Sequence, residues 1–110
     1  MTYKTAQIRL VSSHPEVYEP CDDSFALVDA LLADRTYLVQ HHPTVCMEIG
    51  FRSGYVITSL ALILAQEVTG AYYVATEINP HALAVTPKTL ETHGIHAELV
   101  MTEIASGLET

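Results

Sequence analysis

The stretch Glu48-Ile49-Gly50-Phe51-Arg52-Ser53-Gly54 places a carboxylate, a hydroxyl and two glycines directly after a short apolar run. Gly50 permits a sharp turn, and Gly54 lets backbone or a ligand approach closely. A glycine-bearing turn from strand to helix in an open α/β sheet is where nucleotide-like ligands bind, at the carboxyl ends of the strands. Glu77 closes the next run, 23 residues beyond Gly54. That is about the spacing at which an acid reaches ribose hydroxyls in such folds. Glu103 follows a third run in the equivalent place. Singly, a glycine pair is a common turn, and each glutamate is an ordinary solvated loop acid. In register with three successive strands they form one constellation. The turn is not a dinucleotide fingerprint, because Arg52 and Tyr55 occupy the second and third glycine positions of G-x-G-x-x-G. NAD is disfavoured.

No other reactive side chains make so coherent a set. The six histidines show no metal-ligand pattern: His41 and His42 are adjacent, and His93 and His96 straddle a turn with no cysteine nearby. No Ser-His-Asp or Cys-His arrangement emerges from the spacing. Tyr55, Tyr72 and Tyr73 read as packing aromatics. Cys21 and Cys46 make neither a disulfide framework nor a C-x-x-C pair, and they read as reduced, partly buried thiols of a cytosolic or nuclear protein. Thirteen acidic side chains against five basic ones give a net charge of -8. The cations Lys4, Arg9, Arg35, Arg52 and Lys88 are scattered, so nucleic acid and anionic membrane are poor partners. The longest apolar run, Leu60 to Ala65, is far below the roughly 18 residues of a membrane span, and no signal peptide opens the chain. The expectation is a soluble intracellular polypeptide.

The elements that must position these groups follow from period and punctuation. With 49% hydrophobic residues, the chain expects a buried core, and 110 residues are one domain at most, or part of one. Ile8, Leu10 and Val11 suggest a short extended or docking segment, followed by a loop punctuated by Pro15 and Pro20. Asp22-Asp23-Ser24 supplies helix-start chemistry, and Phe25, Val28, Leu31 and Leu32 continue at helical spacing to about Leu38. Residues 44–49 read as a buried strand and residues 54–67 as a helix apolar almost all round. Residues 71–76 read as a second strand. Asn79-Pro80 starts a helix that Gly94 stops, and Pro87 predicts a kink or split inside it. Residues 96–101 read as a third strand. Alternation of this kind implies an α/β fold with a parallel sheet and crossover helices.

With these motifs in place, the chain resembles the HemK-like class I S-adenosylmethionine-dependent methyltransferases. It is most similar to the eukaryotic release-factor glutamine N5-methyltransferase branch, plant members in particular. Val17-Tyr18-Glu19-Pro20-Cys21-Asp22-Asp23-Ser24-Phe25 looks like the family's YEP-x-(E/D)-D-(S/T) signature, and the Glu48–Gly54 turn like its E-x-G-x-G-S-G loop. Thr76-Glu77-Ile78-Asn79-Pro80 is similar to its T-D-x-N-P segment, and Thr102-Glu103-Ile104 to its T-D-(I/L). The resemblance implies the amino-terminal half of a Rossmann-like fold. Residues 1–43 would be an N-terminal segment and helix, and residues 44–110 a truncated cofactor-binding half-domain. By the same resemblance, Ser24, Glu48, Gly50, Ser53, Gly54, Glu77 and Glu103 are the candidate S-adenosylmethionine-binding residues. Amides of Ser53 and Gly54 would serve the methionine carboxylate, Glu77 the ribose and Glu103 the adenine. Catalytic and metal-binding residues are not expected within this chain.

Departures from the family pattern shape the functional expectation. Arg52 stands at the family's central glycine, where a side chain would intrude on the cofactor or strain the turn. Glu77 and Glu103 replace aspartates. The family's catalytic Asn-Pro-Pro-Tyr, which orients the attacking amide nitrogen, does not occur in these 110 residues, so autonomous activity is expected to be absent. Two readings follow. One is the cofactor-binding half of a release-factor glutamine methyltransferase, cytoplasmic or also nuclear. The alternative is a non-catalytic, truncated or diverged copy. Such a copy would bind the family's small zinc-binding activator subunit along the Glu98–Met101 edge, or have no independent function.

Overall fold

The computed structural model describes residues 5–64 and 70–101. A 3-10 turn (Ile8–Leu10) precedes two helices, α1 (Asp22–Ala33) and α2 (Arg35–Gln40). Then come β1 (Val45–Ile49), α3 (Tyr55–Leu64), β2 (Tyr72–Glu77), α4 (Ala82–Thr92) and β3 (Glu98–Met101). The three strands form a parallel sheet in the order β1-β2-β3. Val45 is opposite Tyr72 and Ile49 opposite Thr76, while Val74 to Glu77 face Glu98 to Met101. The expected α/β architecture with helical crossovers is therefore present, as a partial Rossmann-like fold.

Period-two alternation divides the sheet into two unlike faces. Cys46, Tyr73, Ala75 and Leu99 point toward the helices, where Ala75 joins Phe51, Ile57, Ala82, Val85 and Leu90 in the main core. α3 buries Ile57, Ala61, Ile63 and Leu64, which explains a helix apolar on more than one side. On the opposite face Val45, Met47, Ile49, Tyr72 and Val100 are all exposed. Tyr72 is thus not the packing aromatic its sequence context suggests.

Three local expectations change. The helix from Asp22 does not run unbroken to Leu38. It turns at Asp34 (φ −92, ψ 9), and Leu38 and Val39 on α2 are thereby aimed at the Cys46–Leu64 cluster. Residues 8–10 coil into a 3-10 turn, docked on α4 by Ser12 N–H to Thr89 Oγ1 (3.0 Å) and Thr92 Oγ1 to Leu10 O (3.2 Å). Pro87 neither breaks nor splits α4. Val85, Thr86, Thr89 and Leu90 are buried on either side of it, while Pro87, which cannot donate to the Leu83 carbonyl, and Leu83 itself face water.

Candidate functional site

The loop after β1 is pinned by its own backbone. Gly50 and Phe51 N–H both donate to Thr76 O, at 2.7 and 3.2 Å. Phe51, 1% exposed, anchors the loop in the core. Arg52 adopts the left-handed conformation (φ 49) that favours glycine. Its N–H donates to Glu77 Oε1 at 3.1 Å, and its carbonyl accepts from Thr86 Oγ1 at 2.6 Å. Gly54 (φ 88) donates to Phe51 O at 2.7 Å. A Cβ on Gly54 would lie 2.8 Å from Thr86 Cγ2, so this glycine serves the close approach of α4.

Between that loop and the segment before α1 lies a cavity of about 400 Å³. The size falls within the range of small-molecule sites. Tyr18, Glu19 and Pro20 form one wall, Asp23 and Ser24 of α1 a second, and Glu48, Gly50, Arg52 and Ser53 a third. Glu48 Oε1 is buried with no hydrogen-bond partner. Burial pushes the Glu48 carboxyl up to about 8, against weaker opposing pulls from the Ile57 amide and Arg52. Arg52 is the cation in the lining, and its guanidinium lies 5.3 Å from the centroid of the Tyr18 ring. The arrangement suits a small ligand carrying both positive and negative charge.

The structure brings Ser24, Glu48, Gly50 and Ser53 to this cavity. Gly54 and Glu77 are not among its lining residues. Glu77 Oε1 takes the Arg52 amide, and Oε2 takes the amides of Ile78 (2.9 Å) and Asn79 (3.2 Å). Its carboxylate ties the β2–α4 turn to the β1–α3 loop. The Gly54 amide, expected to serve a ligand carboxylate, is taken by Phe51 O. Ser24 Oγ also accepts the Cys21 amide at 3.4 Å, in a capping box at the start of α1. Glu103 lies outside the described residues. Tyr55, read as packing, meets Phe25 edge-on at 5.5 Å and also borders the cavity. Tyr18, Glu19 and Asp23 were legible only as parts of a motif, because residues so far from the loop in sequence give no spacing signal. Among the described residues, no cluster of three or more histidine, cysteine or acidic side chains could hold a metal, and no helix is long and apolar enough to cross a membrane.

No protein-family model matches the chain. Two curated relatives do: methyltransferase HEMK2 of Homo sapiens and methyltransferase HEMK2 of Mus musculus. Each is 38% identical over 93 residues, which is 84% of this chain and 41% of the relative. The chain therefore spans about two fifths of the length of the curated relatives it matches. The matched segment takes up most of a chain that folds as helices on a parallel sheet, with a glycine-bearing loop at a strand's carboxyl end. On this likeness the chain belongs to the HemK-like methyltransferases.

Proposed function

We propose that this chain is the S-adenosylmethionine-binding part of a protein methyltransferase acting on the glutamine N5 position of a translation release factor. The observation that carries the reading is the cavity of about 400 Å³ at the carboxyl end of β1, with its unpartnered Glu48 oxygen. The residues present fit a cofactor bearing an ammonium, a sulfonium and a carboxylate. Asp23 offers negative charge to the first two, Glu48 a carboxyl that ionises when a cation binds beside it, and Arg52 positive charge to the third. The bound cofactor would supply an activated methyl group. This chain's contribution is to bind and orient it, with Tyr18 and Pro20 forming the wall opposite the loop. The glutamine-orienting Asn-Pro-Pro-Tyr would come from polypeptide outside these 110 residues. Calorimetric titration with S-adenosylmethionine tests the reading. Saturable micromolar binding is expected, and heat indistinguishable from buffer would sink it.

A second reading, a binding module without cofactor, is favoured by one observation. The Glu77 carboxylate is already engaged by three backbone amides. In that case β3, an edge of the sheet among the described residues, would take the family's zinc-binding activator subunit. Capture of purified activator by a chain that ignores S-adenosylmethionine would select this reading over the first.

A further inference from the structure

Loops that receive anions ordinarily do so with free backbone N–H groups at a helix start. Here four of the amides that lead into α3 are spent internally. The amides of Gly50 and Phe51 serve Thr76 O, that of Arg52 serves Glu77, and that of Gly54 serves Phe51 O. The lining offers instead one full positive charge, the Arg52 guanidinium, among the acids Glu19, Asp23 and Glu48. The residue is also anchored through its backbone. Its backbone is fixed at both ends by Glu77 and Thr86, and its head group lies over the Tyr18 ring. A residue kept in a left-handed conformation at a position suited to glycine persists because surrounding contacts over-determine it. A planar guanidinium matches a carboxylate bidentately and brings a full charge, which a single backbone amide does not.

We infer that Arg52 receives the anionic end of the ligand in this cavity, supplying the positive charge that the four engaged loop amides do not, and making the site select for carboxylate-bearing ligands. The inference rests on the cofactor-binding reading above and adds to it the group that discriminates. Tyr18 acts as a positioning residue, since it touches Arg52 and steadies the guanidinium.

Three probes separate the possibilities by calorimetry on the full chain: S-adenosylmethionine, its decarboxylated analogue, and L-methionine. The wild-type chain is expected to prefer the carboxylated cofactor by about tenfold, the size of one contact to a charged group. Arg52→Met, which keeps the bulk, and Arg52→Gly, which also relieves the backbone, should each lower that preference to about twofold or less. Tyr18→Leu should weaken it without abolishing it. Thermal melts establish that each variant is folded. Preference retained in both Arg52 variants overturns the inference and leaves the cofactor reading standing, as does tighter binding of S-adenosylmethionine by Arg52→Gly. Arg52-dependent binding of L-methionine with none of S-adenosylmethionine supports the inference and overturns the cofactor reading. A folded wild-type chain that binds no probe overturns both.

Discussion

The Glu77 carboxylate accepts the Arg52 backbone amide at 3.1 Å, so the last residue of β2 holds the loop that follows β1. Its other oxygen caps the turn into α4 through Ile78 and Asn79. An acid whose sequence position suggests a ligand contact is thereby the buckle between two loops. Glu77→Ala should cost about 1.5–3 kcal/mol, the range for hydrogen bonds to a charged group. Glu77→Asp, one methylene shorter, should lose part of this. Urea unfolding measures it, and an unchanged midpoint for Glu77→Ala would refute the buckle.

Glu48 gives stability a pH dependence of definite sign. Burial pushes its carboxyl from 4.5 up to about 8 in the folded chain. Between those values the native state keeps a proton that the unfolded chain has released, so stability falls as pH rises and levels off above about 8. Glu48→Gln keeps the shape and should flatten this slope, with its largest gain at the alkaline end. Urea midpoints across the range report it. A slope identical in Glu48→Gln and wild type would assign the effect elsewhere.

Glu48 should also release a proton when a cationic group binds beside it, because an opposite charge favours the ionised form. Titrations in buffers of different ionisation enthalpy would show an apparent binding enthalpy that depends on the buffer below pH 8, the pH near which Glu48 titrates. The dependence should vanish in Glu48→Gln.

Gly54 is required by its neighbour as much as by its own φ of 88. Gly54→Ala sets a Cβ 2.8 Å from Thr86 Cγ2 and should cost about 2 kcal/mol or more. Thr86→Ser removes that methyl while keeping the hydroxyl bonded to Arg52 O. The double variant should therefore regain part of the loss, a coupling that a double-mutant cycle in urea detects. Strict additivity would show that backbone strain alone sets the cost.

Parallel sheets are almost always covered on both faces. The face carrying Val45, Met47, Ile49 and Val100 is exposed here, and among the described residues β1 pairs only with β2. The 110-residue chain should bind a hydrophobic dye and self-associate. Met47→Lys with Val45→Thr should reduce both without lowering the melting temperature. Dye binding unchanged in that variant would place the adhesive surface elsewhere.

Much of the architecture was written in local pattern. Short apolar runs bounded by Pro43, Gly50 and Gly70 mark β1 and β2, because a short strand needs little more than length and punctuation. The burial expected of β1 holds only for Cys46, with Val45, Met47 and Ile49 exposed. Asn79 and Pro80 mark the approach to α4: Asn79 Oδ1 accepts the His81 amide at 3.0 Å. Where pattern failed, tertiary contacts had overruled it. Packing on both sides of Pro87 carries α4 through a residue that would break an isolated helix. The bend at Asp34 exists so that Leu38 and Val39 reach the Cys46–Leu64 cluster.

The amino-acid sequence alone determined the order of strands and helices, the family resemblance and the residue types around the loop, since these depend on neighbours a few positions apart. Only the tertiary structure decided what those residues do for one another. It turned Glu77 inward to backbone amides, set Gly54 against Thr86 and laid Arg52 over Tyr18. It also stripped one oxygen of Glu48 of partners. Each of these outcomes joins segments far apart in the chain, where the direction of a hydrogen bond or the burial of a charge is set by packing and leaves no trace in local spacing.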